Sequence, residues 1–367
     1  MPSGNASSTS TTKTPTEAGT GRRLTAAVAT AAAEEGTAIA WGGPLVAAVA
    51  VLWATRHEWG ARAASGDDVM GHMVRTRWGI EHLLLHGHLD GWMPTFAVGY
   101  QEFLFYGPGF TWLAAIVRLL TLGRLSDAGA VKVLAIGSVA LFPAAVAYLA
   151  RSLGLTRRAA GVAAMLSLLV DNPIGLGITS TFGTGQVPDQ VGEVLGCVAI
   201  GALLRVVQHG RRRDVAVAAV AAAATLVTHS ITVLVAVPIV VITVPVLWVT
   251  ERPRLAPVRS FAVALVLAAG LAAFWLVPFA VHEPLHGPAT TYTTPALAGR
   301  LAAIMRGTFL FRRHVAALVL VGMALAVLRA ARGRPWGAAL VLTPVAYIAV
   351  DRLVLHRFPG SEPALYL

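Results

Sequence analysis

Apolar residues in this chain come in long runs, without the narrow stripes of an amphipathic soluble helix. Most runs are about 18–22 residues, the length a helix needs to cross a hydrocarbon core of ~30 Å. The strongest fall at residues 38–55, 131–150, 159–178, 190–207, 215–228, 231–249, 260–281, 315–329 and 336–354. The stretch 215–249 is too long for one crossing, and Thr228-His229-Ser230 is its natural break, which predicts a tight helical hairpin. No internal repeat is visible.

A further apolar stretch, 104–122, is decided by charge. If it lies on the outer surface, five basic clusters share one side: Arg22/Arg23, Arg151/Arg157/Arg158, Arg211–Arg213, Arg252/Arg254/Arg259 and Arg329/Arg332/Arg334. If it spans, Arg151/Arg157/Arg158 and Arg211–Arg213 fall outside, against the bias of basic residues toward the cytoplasm. Gly107, Pro108, Gly109 and Arg118 also argue for an interfacial or re-entrant segment. The expected fold class is therefore all-α: a polytopic transmembrane bundle of about nine spans with a long outer loop of interfacial helices. Residues 1–37 read as a cytoplasmic tail, 38–355 as the transmembrane domain with outer loop 56–130, and 356–367 as a C-terminal tail. The outer side would also hold loops 179–189 and 282–314 and the His229 turn.

Composition agrees. Apolar residues make up 56% of the chain and charged residues 13%, with the latter about half the fraction usual in a soluble domain. Residues 1–21 are rich in Ser, Thr, Gly and Pro and read as disordered, and 22–35 as an alanine-rich helix. Glu34 and Glu35 precede a spanning-length run, which suits a late signal-anchor better than a cleaved signal peptide. The net charge of +11 sits at the ends of apolar runs, so it sets topology and does not indicate nucleic acid. The single cysteine, Cys197, lies inside an apolar run and indicates neither an intrachain disulfide nor a thiolate metal site. No Walker loop or dinucleotide-binding glycine pattern is present, so nucleotide chemistry has no support.

Candidate chemistry begins in the long outer loop. Gly66-Asp67-Asp68 opens a predicted amphipathic helix whose apolar face carries Met70, Met73, Val74, Trp78 and Leu85. Asp68, His72, Arg75, Gly79, His82 and His86 follow steps of four and three and share the other face. Two readings are open: a solvated face with Asp67 as N-cap and Asp68 in the first turn, or a catalytic carboxylate with its neighbours. Downstream, Trp92-Met93-Pro94 and the run from Val98 to Pro108, with Tyr100, Glu102 and Tyr106, would anchor at an interface or stack on a sugar. Asp189 and Glu193 stand one helical turn apart, placed to receive a divalent cation such as Mg or Mn, or to favour a helix dipole. His229 could bind a phosphate at the hairpin tip, Asp171 precedes Asn172-Pro173 where a helix could break, and His282 and Glu283 could line a site.

Taken together, Asp67-Asp68, His72, an arginine-containing helix, Trp92-x-Pro94, Gly99-Tyr100 and the aromatic run to Pro108 resemble the first outer loop of GT-C-type membrane glycosyltransferases. The likeness is nearest to the bacterial branch labelled 6-pyruvoyl-tetrahydropterin-synthase-related membrane proteins, a label that names no activity here. Thr228-His229-Ser230 and Phe274-Trp275-Leu276-Val277-Pro278 agree with it. The resemblance implies a polyprenyl-phosphate sugar donor, a glycan or lipid acceptor, and transfer at the outer face of the plasma membrane. It places the catalytic base or metal-binding carboxylate at Asp67 or Asp68, with His72, Arg75, Trp92, Tyr100, Glu102, Tyr106 and His229 around the substrate. Arg300, Arg306, Arg312 and Arg313 are further outer-side cations for a phosphate.

One departure is that GT-C enzymes commonly continue with more spans and an outer C-terminal domain, whereas Leu367 closely follows the ninth predicted span. A truncated or inactive membrane scaffold is therefore one alternative. Another is a transporter or flippase of a lipid-linked or anionic substrate, with Asp171-Asn172-Pro173, Pro238 and Pro245 marking discontinuous helices.

Overall fold

The computed structural model describes residues 41–94, 99–104, 106–172, 175–251, 255–282, 306, 313–332 and 342. The predicted N-terminal tail and helix, the predicted span 336–354, the C-terminal tail, and Arg300, Arg312 and Glu283 lie outside the described residues. Ten labelled helices make up the fold: α1 Trp41–Ala54, α2 Val69–Trp78, α3 Gly109–Leu120, α4 Asp127–Ser152, α5 Arg157–Leu166, α6 Val187–His209, α7 Arg212–Thr228, α8 Ser230–Glu251, α9 Leu255–His282 and α10 Arg313–Ala331. A two-stranded antiparallel hairpin, β1 Gly91–Met93 and β2 Tyr100–Glu102, lies between α2 and α3.

Three helices among the described residues are long and apolar enough to cross a membrane: α4, α6 and the stretch Pro257–His282 of α9. They differ in place. In its most apolar stretch α6 is 67% buried, against 17% for α9, so α6 is the central post and α9 turns most of its surface outward. Each long helix begins where local chemistry supplies a start. Ser126 accepts from the Gly129 amide at 3.2 Å to cap α4, Thr156 does the same for α5 from Ala159, and Pro188 sits in the first turn of α6. Gly210, at φ 63°, ends α6 in the left-handed conformation that glycine tolerates.

Two apolar cores hang on α6. Its C-terminal half (Leu203, Leu204, Val207) packs with Ala218, Val240, Val244 and Ala264. Ala218 lies early in α7 and Val244 late in α8, so their meeting makes α7 and α8 antiparallel about the one-residue break at His229. The N-terminal end of α6 (Val187, Val191) packs with Val51, Val69, Phe110, Val131 and Ala135, which seats the long loop on this end of the bundle.

Two expectations are corrected. The run 159–178 is not one helix: α5 ends at Leu166, a 3₁₀ turn follows over Ser167–Leu169, and Val170 is extended. Asp171 draws the backbone away by accepting from the Thr179 amide at 2.8 Å and its hydroxyl at 2.5 Å, and the following Asn172-Pro173 pair disfavours helix. Conversely, α8 runs unbroken through Pro238 and Pro245, so neither proline marks a discontinuous helix. The segment 104–122 holds α3, twelve residues long and buried at Gly109, Phe110, Thr111 and Ala114. At 1.5 Å per residue it reaches about 18 Å, short of a full crossing.

Candidate active site under the outer loop

Glycine sets the entry to the site. Gly66 (φ 124°) and Gly185 (φ 85°) face each other so closely that a Cβ on Gly66 would stand 2.6 Å from the Gly185 Cα. The amides of Asp67 and Asp68 donate to the carbonyls of Gly183 and Thr184 at 3.3 and 3.0 Å, binding the start of α2 to the turn before α6. Asp68, not Asp67, occupies the N-cap, and its side chain caps nothing. Instead its Oδ2 accepts from Gln186 Nε2 at 2.7 Å, across 118 residues of chain, on the exposed side of the loop. Asp67 is exposed beside it.

Inside this carboxylate lies the first half of the predicted polar stripe. Glu102, fully buried on β2, accepts from Arg75 Nε at 3.0 and 2.9 Å and from Nη2 at 2.7 Å. A side-by-side pair of this kind is strong in geometry and costly to break once buried. The Arg75 guanidinium also lies 4.6 Å from the Tyr106 ring and 5.4 Å from that of Tyr100. Burial opposes its charge, but the Glu102 hydrogen bonds and carboxylate outweigh this and hold its pKa above the ordinary arginine value. Arg75 is thus matched by a carboxylate and lies against two rings. Burial raises the pKa of both tyrosines, with the Arg75 charge pulling the other way. The negative charges of Asp189 and Asp68 add to the rise at Tyr106.

His72, one turn before Arg75, meets Phe110 edge-on at 5.8 Å. Burial, then the Arg75 and His229 charges, lower its pKa to about 4, leaving a neutral imidazole. Further along, the stripe leaves this face. A π-helical turn at Gly79–Leu83 adds a residue, His82 stacks on Trp78 at 5.4 Å, and His82 and His86 are exposed. Gly79 remains because the Phe103 ring would stand 2.6 Å from a Cβ there; Phe103 itself takes a positive φ of 66° as the chain turns out of β2. Trp92 points elsewhere: it is 60% exposed on β1 and packs on Gly99, away from the cluster.

The floor of the site is the break between α7 and α8. His229 is 5% exposed; its Nδ1 is 3.0 Å from Thr232 Oγ1 and 3.1 Å from Asp189 Oδ1, the latter without hydrogen-bond alignment. Tyr106 meets its ring edge-on at 6.4 Å. Gly192 and Gly196 let α6 approach this break closely, since a Cβ on them would lie 2.7 Å from His229 and 2.9 Å from Thr232. Gly107 and Gly109 do the same from above against Val227 and Thr228. The cleft enclosed by His72, Arg75, Glu102, Tyr106 and Pro188 has about 10 Å³ of free volume, too little for a sugar ring.

Asp189 and Glu193, one helical turn apart, turn to different partners. Asp189 faces His229, Glu193 hydrogen-bonds Thr232, and among the described residues no three His, Cys, Asp or Glu side chains converge. The sequence reading also missed Gln186, the partner of Asp68, and Gln190, whose Oε1 accepts from the Gly177 amide at 2.8 Å. Amide side chains carry no charge signature, and only their position on the turn reveals them.

No family model matches the chain, and no curated protein matches it in sequence. Solved structures do. The Archaeoglobus fulgidus oligosaccharyltransferase in complex with Zn and sulfate superposes with a TM-score of 0.52 at 13% identity, over 88% of this chain and 47% of that one. Its apo form gives 0.52 at 14%, over 89% and 49%. The fold is similar to that of these oligosaccharyltransferase structures. At this identity the likeness is one of fold, and the chain spans about half the length of the structures it matches.

Proposed function

We propose that this GT-C-type membrane protein is a glycosyltransferase that takes its sugar from a polyprenyl phosphate at the outer face of the plasma membrane, with Asp68 as general base. The observation that carries this reading is the placement of one carboxylate. Asp68 is free of the capping role its position invites, is held by Gln186, and stands one helical turn before His72 and two before Arg75, whose partner Glu102 is buried.

An acceptor hydroxyl, on a glycan or lipid, is a weak nucleophile. In the proposed step its oxygen bonds to the anomeric carbon, the bond from that carbon to the phosphate oxygen breaks, and polyprenyl phosphate leaves. The hydroxyl proton passes to the Asp68 carboxylate. Arg75, whose charge Glu102 balances, holds Tyr100 and Tyr106 in place, and neutral His72 and buried Tyr106 form the polar wall. About nine spans with a cytoplasmic N-terminus would put this loop outside, following the distribution of arginines.

The transport alternative has less support. The cavity beside the break at Asp171 holds about 90 Å³, below the several hundred that small-molecule sites require, and α8 is continuous. Asp68→Asn should lower transfer from a labelled polyprenyl-phosphate sugar by about 10²–10⁴-fold, the usual contribution of a general base, while Asp67→Asn keeps it. Transfer at the wild-type rate by a correctly inserted Asp67→Asn/Asp68→Asn double variant would overturn the assignment.

A further inference from the structure

The hairpin between α2 and α3 has two unlike faces. Gly91, Trp92 and Met93 pair with Glu102, Gln101 and Tyr100 in antiparallel register, so side chains directly opposite share a face. On the inner face Met93 and Glu102 are fully buried, and Glu102 meets Arg75. Strand alternation turns Trp92 and its partner Gln101 to the outer face, where Trp92 is 60% exposed and Gln101 half-buried. Asp90, two residues before Trp92, is exposed as well.

Trp92 is seated on backbone. Gly99 has a φ of 105°, and a Cβ there would stand 2.2 Å from Trp92 Cζ2, so the benzo ring of the indole rests where no side chain intervenes. Its orientation is thereby restricted before any ligand arrives, which lowers the entropy lost on binding. Two polar side chains accompany the ring. Among the described residues, neither the Asp90 nor the Gln101 side chain has a hydrogen bond or ion pair. A carboxylate that only accepts and an amide that both donates and accepts thus stand beside an open aromatic ring. A sugar has the matching make-up: C–H groups on one face of its ring, and hydroxyls on the rim that donate and accept. A bilayer matches less well, since Asp90 would meet lipid phosphates of its own sign.

We propose that the outer face of this hairpin binds a sugar ring of the acceptor, stacked on the Trp92 indole with its hydroxyls on Asp90 and Gln101. The acceptor is then an oligosaccharide and not a simple lipid alcohol. Its role as acceptor rests on the transfer reaction proposed above; the binding of sugar to this face does not. Because Trp92 and Glu102 lie on opposite faces of the hairpin, the ring held here is a different ring from the one that would receive the new bond.

The test uses the full chain in nanodiscs, titrated by saturation-transfer NMR with free tetrasaccharides of glucose, mannose, galactose and N-acetylglucosamine. The wild type should bind at least one of them. Trp92→Ala should weaken that binding about tenfold or more, while Trp92→Phe, which keeps a ring to stack on, should cost no more than about threefold. Asp90→Ala and Gln101→Ala should each weaken it about three- to tenfold, the loss of one or two hydrogen bonds. No sugar donor is present, so no transfer occurs, and a failure here is distinct from a failure of the transfer reading. Absence of binding to all of the tetrasaccharides overturns the proposal, as does equal binding by wild type and Trp92→Ala. So does a nitroxide on Trp92→Cys, in a Cys197→Ala background, that oxygen reaches more readily than a water-soluble nickel chelate does, because that places the ring in the bilayer.

Discussion

Asp68 stands where a capping carboxylate belongs, yet it leaves the amides of α2 alone and turns to Gln186. The sequence placed an Asp-Asp pair at the start of a helix; it could not choose between them, because capping and catalysis demand the same residue type at the same position. Tertiary contact separates them. The same holds for Arg75, whose spacing put it on the Asp68 face but whose partner, Glu102, arrives from a hairpin 27 residues on. His72 yields a measurable consequence. Its pKa in the folded chain is lowered to about 4, while an unfolded imidazole titrates near 6.5. Between these values the unfolded chain binds the extra proton, so stability is full above about pH 6.5 and falls as pH drops toward 4, by up to roughly 3 kcal/mol. Thermal unfolding of the solubilised protein between pH 7.5 and 4.5 should show a steeper loss of Tm for wild type than for His72→Gln. Parallel curves would place the acid sensitivity elsewhere.

Among the elements, the long loop is held to the bundle by close backbone approach as well as by side-chain packing. Gly107 meets the Val227 carbonyl so closely that a Cβ would lie 2.1 Å from its oxygen, and Gly66 meets Gly185 in the same manner. Gly107→Ala should therefore lift the loop from the end of α7 and lower stability by about 1–3 kcal/mol, the cost of overpacking. Gly137→Ala, in α4 with open space around it, should be neutral or slightly stabilising. Tm values of the two variants side by side check this; equal shifts would mean that close approach at Gly107 is unimportant. The π-helical turn at Gly79–Leu83 is the other decisive element. Helical spacing extended the polar stripe to His82 and His86, but one inserted residue rotated both out of it. A period read from sequence assumes a regular helix and cannot foresee a bulge that exists to admit Phe103.

At the scale of the molecule, α6 joins two chemically different ends, one with Asp189 beneath the loop and one with Arg205 among other arginines. If the arginine-rich end is cytoplasmic, His88→Cys in the loop and Arg158→Cys beyond α4, each in a Cys197→Ala background, should label oppositely. Impermeant maleimide added to intact cells should modify the first and not the second, and the reverse would invert the proposed topology. Membrane character and helical class were legible in the sequence, because spanning length and hydropathy are local or additive properties of the chain. The break after α5 was half-legible: Asp171-Asn172-Pro173 announced it, but the run 159–178 still looked long enough for one helix. That Glu102 neutralises Arg75 and that Gln186 holds Asp68 were decided only by the tertiary structure. Each depends on residues far apart in the chain being brought within a few ångströms, and no local pattern encodes that distance.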